Sequence, residues 1–215
     1  MVSVSLRTRS TVDSRFRTYA ALTYQSPTSL AVASLGYHVL ATDLSSAHLL
    51  KSNIAFNKHN LPVDAGSIRA MALDWTKLPS QWNLANDGAE ADDNFRPPFH
   101  LIITADTVYK EELIQPLLRS LNALALESTP TEGSASSPSP LILVCLERRD
   151  PLLTESVFDC AKNVWGFKVQ RVPVTKLRRA VEKGLGCEWG DGWSDIELWK
   201  LKLSVPKPHD AMSAS

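Results

Sequence analysis

Phe99-His-Leu-Ile-Ile-Thr-Ala-Asp-Thr-Val-Tyr109 is the stretch on which the fold turns. Residues 99–105 form a nearly continuous apolar run, as expected for a strand buried on both faces of a sheet. A carboxylate placed directly after such a run, here Asp106, is costly to bury without a partner. It therefore faces a cleft or caps the next helix. Two upstream runs end in the same way: Tyr37 to Thr42 leads into Asp43, and Ile68 to Leu73 leads into Asp74-Trp75. Downstream, Leu141 to Leu146 is a further buried strand, followed by Glu147-Arg-Arg-Asp150.

Helical patterns separate these strands. Ser45 can cap a helix reaching Asn60, with Leu50 and Ile54 on its apolar side and Asn60 and Pro62 as stops. A second helix is expected over 111–127, where Ile114, Leu117, Leu118, Leu121 and Leu124 share one face. Pro116 fits only near that helix's first turn. A third is expected over 152–165. Phe167 to Val172 and Ile196 to Leu203 alternate in polarity, as antiparallel strands do. The segment 176–195, with Arg178, Arg179, Lys183, Trp189 and Trp193, links them. Alternating strands and helices predict an α/β domain with a mostly parallel sheet. Ligands of such sheets lie at the carboxyl ends of the strands, where Asp43, Asp74-Trp75, Ala105-Asp106 and Glu147 all fall.

The whole-chain numbers exclude other classes. With 23 basic and 23 acidic residues among 215, no overall field draws the chain to nucleic acid or anionic lipid. No apolar run approaches the ~20 residues of a membrane span. Three scattered cysteines and five separated histidines suit neither a disulfide framework nor a metal site. No Gly-x-Ser-x-Gly elbow or Gly-x-x-x-x-Gly-Lys loop is present. Residues 1–17 are rich in Arg, Ser and Thr, a bias shared with mitochondrial presequences, but a cytoplasmic monomer is the expectation.

Each candidate site residue has two readings. Asp43 can accept hydrogen bonds from both hydroxyls of a ribose, or cap the turn before Ser45. Asp74 can accept from an exocyclic amine, and Trp75 can offer a flat face to a purine or act as a lid on the core. Asp106 can hold a cationic amine in a cleft closed by the Tyr109 ring. Alternatively, Asp106 caps the following helix and Tyr109 packs.

Taken together, Leu35-Gly-Tyr-His-Val-Leu-Ala-Thr-Asp-Leu-Ser45, Asn53-Ile-Ala-Phe-Asn57, Leu73-Asp-Trp75, the 99–109 stretch, Leu141 to Arg148 and Glu197-Leu-Trp-Lys-Leu201 form a specific series. In order and spacing it resembles the seven-β-strand protein-lysine methyltransferases of family 16, several of which modify elongation factors or chaperones. The resemblance covers about 28–204 and implies a Rossmann-like α/β sheet. It implies S-adenosylmethionine as methyl donor and a protein substrate, a translation factor or chaperone, as acceptor. By the same resemblance Asp43 is the ribose acid, Trp75 is the tryptophan beside the adenine, and the Ala105 backbone meets the donor. Asp106 and Tyr109 are the Asp-x-x-Tyr signature at the acceptor amine.

The chain departs from the family at its start. Family members place a strand and a Gly-x-Gly-type loop before the helix that here contains Thr28 to Leu35, and only glycine lets the backbone approach the donor closely. Here the corresponding stretch is Thr23-Tyr-Gln-Ser-Pro-Thr-Ser29, and Gly36 is the first glycine. Residues 1–27 are thus expected to be an atypical segment, with the sheet's first strand lacking or altered. The apolar stretch 16–24 is the one candidate to replace it. The spans 83–98 and 128–140 are expected to be disordered loops, and 205–215 a tail. The departure leaves a second reading, an inactive remnant acting through protein contacts, and a third keeps the enzyme but swaps the acceptor for a small amine or an arginine.

Overall fold

A computed structural model describes residues 18–23, 27–43, 47–82, 95–129, 139–186 and 188–204. The strands are β1 (Thr18–Thr23), β2 (His38–Asp43), β3 (Ile68–Ala72), β4 (Leu101–Ala105), β5 (Leu141–Glu147), β6 (Phe167–Arg171) and β7 (Ile196–Leu203). The helices are α1 (Pro27–Ala33), α2 (Ala47–Asn57), α3 (Ile114–Glu127), α4 (Pro151–Asn163) and α5 (Val174–Leu185). All seven strands join one sheet in the order β3-β2-β1-β4-β5-β7-β6. Strands β1 to β5 run parallel, and β7 pairs antiparallel with both β5 and β6.

The place expected to be lacking or altered is filled. β1 lies centrally, with Tyr19 opposite Val39 of β2 on one side and Leu101 of β4 on the other. The domain therefore reaches upstream of residue 28, into the segment the resemblance left outside. β1 also makes the topological switch: the chain builds outward to β2 and β3, then returns across β1 to β4 and β5. A crevice at the carboxyl edge is the consequence.

Alternation along each strand sorts side chains between two faces. One face packs under α3 and α4 in a single core that includes Leu40, Ile102, Leu117, Leu118, Leu121, Ile142, Phe158 and Leu201. The other is divided. Val39 meets Ala33 of α1, Ala41 meets Leu50 and Ile54 of α2, and Leu143 and Leu198 meet Leu177 of α5. Here β4 corrects an expectation. Ile102 and Thr104 are fully buried, but Leu101, Ile103 and Ala105 on the opposite face are half-buried. Leu101 and Ile103 pack against the smaller α5 cluster, so this face of the central strand is covered less completely than the other.

Local signals set the helix ends. Asp150 accepts from the backbone N–H of Leu152 and Leu153, and Pro151 opens α4. Pro116 is the third residue of α3, where its missing N–H has no intrahelical partner to lose. The helix expected to reach Asn60 is α-helical to Asn57 and ends in a 3-10 turn over Lys58–Asn60. Gly66 admits no other residue, since a Cβ there would lie 2.0 Å from the Tyr37 carbonyl oxygen.

The Ser45 cap, residues 83–94 and 130–138 of the expected loops, residues 1–17 and the tail lie outside the described residues. The flanks of those loops are packed: Phe95 is buried in the main core, and the Ser128 hydroxyl accepts from the Phe99 N–H at 2.9 Å. Among the described residues, no helix is long and apolar enough to cross a membrane.

Candidate active site

β4 ends at Ala105, level with Thr23 of β1 and Cys145 of β5. The next residue, Asp106, has φ of 56°, a left-handed conformation uncommon outside glycine and tolerated best by Asp and Asn. Its backbone N–H donates to the Cys145 carbonyl at 2.9 Å, which fixes the bend. Thr107 turns inward, its hydroxyl 2.6 Å from that of Thr104. Asp106 and Tyr109 turn outward, with side chain 60% and residue 51% exposed respectively. Regular helix resumes only at Glu111, after Lys110, so Asp106 caps nothing.

Beside Asp106 stands a charged pair from the end of β5. Nε and Nη2 of Arg149 donate to one oxygen of Glu147 at 2.9 and 2.6 Å. Arg149 Nη2 lies 4.0 Å from Asp106 Oδ2. The Glu147 hydrogen bonds, then the charges of Glu147 and Asp106, raise the guanidinium further above its ordinary value. Burial, and secondly the Asp106 charge, pushes the Cys145 thiol up.

The other half of the edge is tied to the body of the protein. Asp43 closes β2, half-buried, and its carbonyl accepts from the Leu73 N–H at 2.7 Å. Asp74 turns its carboxylate onto the backbone N–H and hydroxyl of Thr76, with Lys77 at 3.9 Å. The Thr76 hydroxyl lowers the Asp74 carboxyl most, against an opposing effect of burial. Trp75 is 7% exposed, inside the main core. Its carbonyl accepts from Ser120 at 3.1 Å, and Arg119 donates to the carbonyls of Thr76 and Lys77 at 2.8 and 3.0 Å. The indole of Trp82 donates to the Asp74 carbonyl at 3.1 Å.

The structure thus gathers all six sequence-predicted residues on one edge, along neighbouring strand ends. Ala105, Asp106 and Tyr109 stand at β4, Asp43 across β1 at β2, and Asp74 and Trp75 one strand further. Sequence reasoning passed over Arg149 and the Arg119 clamp. For Arg149 a signal existed: a Glu-Arg-Arg-Asp run opening straight from a buried strand. An acidic side chain, Asp43, closes the strand beside β1, where a ribose could meet it. Residues 24–26 between β1 and α1 are Tyr-Gln-Ser, with no glycine.

Residues 28–159 match a family model described as lysine methyltransferase. Among solved structures, the chain is similar to the delta-N METTL16 MTase domain, with TM-score 0.50 and 10% identity over 88% of this chain and 74% of that one. It is similar also to the CcbJ methyltransferase from Streptomyces caelestis, with TM-score 0.51 and 13% identity over 87% of this chain and 89% of that one. At these identities the likeness is one of fold, the Rossmann-like methyltransferase fold.

Proposed function

The chain belongs to the lysine methyltransferase family, whose methyl donor is S-adenosylmethionine, and from that premise we propose that it methylates a lysine side-chain amine of a protein substrate. The bend at Asp106 carries the reading. It lifts one carboxylate and the Tyr109 phenol out of the edge at the switch between β1 and β4.

In this reading Asp43 would hold the donor's ribose and the Ala105 backbone would lie beside its reactive end, whereas Asp74 is turned onto Thr76 and Trp75 is packed in the main core. When bound, the donor supplies an electrophilic methyl group. The protein's own part is positional. Asp106 draws the acceptor ammonium to the crevice and hydrogen-bonds it, setting its direction of approach. Tyr109 covers the amine with its ring and thins the water around it. Deprotonation of the amine to bulk water precedes its attack. By resemblance the substrate is a translation factor or a chaperone.

One observation favours a second reading, a remnant without catalysis: glycine is absent before Gly36, where the family uses it. The experiment that separates the two is calorimetric titration of S-adenosylhomocysteine into the 215-residue chain. It is followed by incubation with S-adenosylmethionine and candidate proteins and peptide mass spectrometry. Active enzyme gives a dissociation constant of about micromolar, near −8 kcal/mol, and methyl-lysine in the product. The Asp106→Asn variant then loses at least ~100-fold in rate, in keeping with a lost positioning group. No heat from a folded sample supports the remnant, and methyl-arginine or a methylated small amine replaces the acceptor.

A further inference from the structure

We propose that Glu147 holds Arg149 away from Asp106, so that this pair sets how readily the Asp106 carboxylate takes a cationic amine; the inference rests on the reading of Asp106 as the acceptor-side carboxylate. Two carboxylates at neighbouring strand ends compete for one guanidinium. Glu147 has it, through two hydrogen bonds to a single oxygen at 2.9 and 2.6 Å, while Asp106 stands off at 4.0 Å. An Arg149 moved fully onto Asp106 would occupy the position of the substrate's ammonium. The site would then carry its own competitor.

The backbone around the pair is fixed, so the side chain of Arg149 is the part free to swing. Asp106 is pinned by its N–H on Cys145. The preceding arginine, Arg148, goes the other way. Its N–H donates to the Asp195 carbonyl at 2.7 Å, and its guanidinium reaches Glu155 at 3.0 Å and Glu197 at 3.8 Å. Glu197 is 3% exposed, and it also accepts from Arg171 and the Trp199 indole at 2.8 Å each. That cluster around the buried Glu197 ties the turn after β5 to β6, β7 and α4. From the turn, Arg149 has ion-pair partners only in Glu147 and Asp106 among the described residues.

Removing the Glu147 charge should send Arg149 to Asp106. Removing Arg149 leaves Asp106 next to a like charge and strengthens its hold on a cation. Carbon-detected carboxyl titration by NMR reads this directly in the full chain, with Asp106 assigned by its loss in Asp106→Asn. The titratable groups around it are Glu147 and Cys145 on β5 and Tyr109 and Lys110 on its own loop, and the variants leave Cys145, Tyr109 and Lys110 in place. The midpoint of Asp106 should fall in Glu147→Gln, as for a carboxylate gaining a close cation. It should rise in Arg149→Gln and return near the wild-type value when both changes are combined. An unmoved midpoint in Glu147→Gln overturns the proposal. In the methylation assay, Glu147→Gln should raise KM for the protein acceptor several-fold with kcat kept, and the double variant should recover. A wild-type chain that methylates nothing counts against the proposed function, and the NMR titration still decides the gate.

Discussion

The two halves of the carboxyl edge are built in opposite ways. At the ends of β2 and β3, Asp74 is folded onto Thr76, Trp75 is sunk in the core and α3 clamps the loop through Arg119 and Ser120. At the ends of β4 and β5, Asp106, Tyr109, Glu147 and Arg149 stand in solvent on a bent backbone. The first half is held by packing and by hydrogen bonds to backbone. The second is held by backbone hydrogen bonds, the Thr104–Thr107 pair and the Arg148 ion pairs, and its outward side chains are left for other work. Substitutions in the first half should therefore cost stability, whereas those in the second should change reactivity and leave stability intact.

The largest expected effect tests the packed half. Trp75→Ala removes a buried indole from the main core and should cost about 3–5 kcal/mol in urea unfolding. Asp106→Asn should stay within about 0.5 kcal/mol of wild type, as an exposed change compatible with a left-handed backbone. A cost below about 1 kcal/mol for Trp75→Ala would erase the contrast and free the indole for a purine. Arg119→Ala is the intermediate case. It strips two carbonyls of a charged donor while leaving them near solvent, so about 1–2 kcal/mol is expected in the same unfolding experiment. A larger loss would mean that the clamp, more than the indole, holds the loop.

How much of this was legible in sequence depended on whether the signal was local. β4 and β5 could be read from their own apolar runs, and α3 from one five-residue stripe, because each pattern sits within a single element. The carboxyl edge was legible for the same reason, since an acid closing a strand is marked in the strand itself. β1 was not. Thr18–Thr23 is central only because β2 and β4 flank it, and a pairing between distant segments leaves no local trace beyond modest apolarity. The half-open face of β4 was missed likewise, since what covers a strand belongs to another part of the chain. Asp74 and Trp75 showed the residue types but not their orientation. Thr76 and Ser120, which hold the one side chain and the other's backbone, looked like ordinary hydroxyls.

Asp74 supplies the smallest test and the one that sharpens the comparison most. Its carboxyl is lowered chiefly by the Thr76 hydroxyl, with the Thr76 N–H and Lys77 adding to this and burial opposing it. A carboxyl lowered in the folded state binds its proton less tightly there than in the unfolded chain. Its contribution to stability is therefore complete above the ordinary aspartate range and is lost as pH falls through the lowered value. Asp74→Asn keeps an acceptor for the Thr76 N–H but removes the titrating charge. Unfolding measured at about pH 6 and about pH 3, either side of the ordinary aspartate value, should show the full wild-type advantage at the higher pH and a smaller one at the lower. An advantage equal at both would mean that the Asp74 turn works through neutral hydrogen bonds. The packed half of the edge would then owe nothing to charge, and charge would belong wholly to the half that carries Asp106.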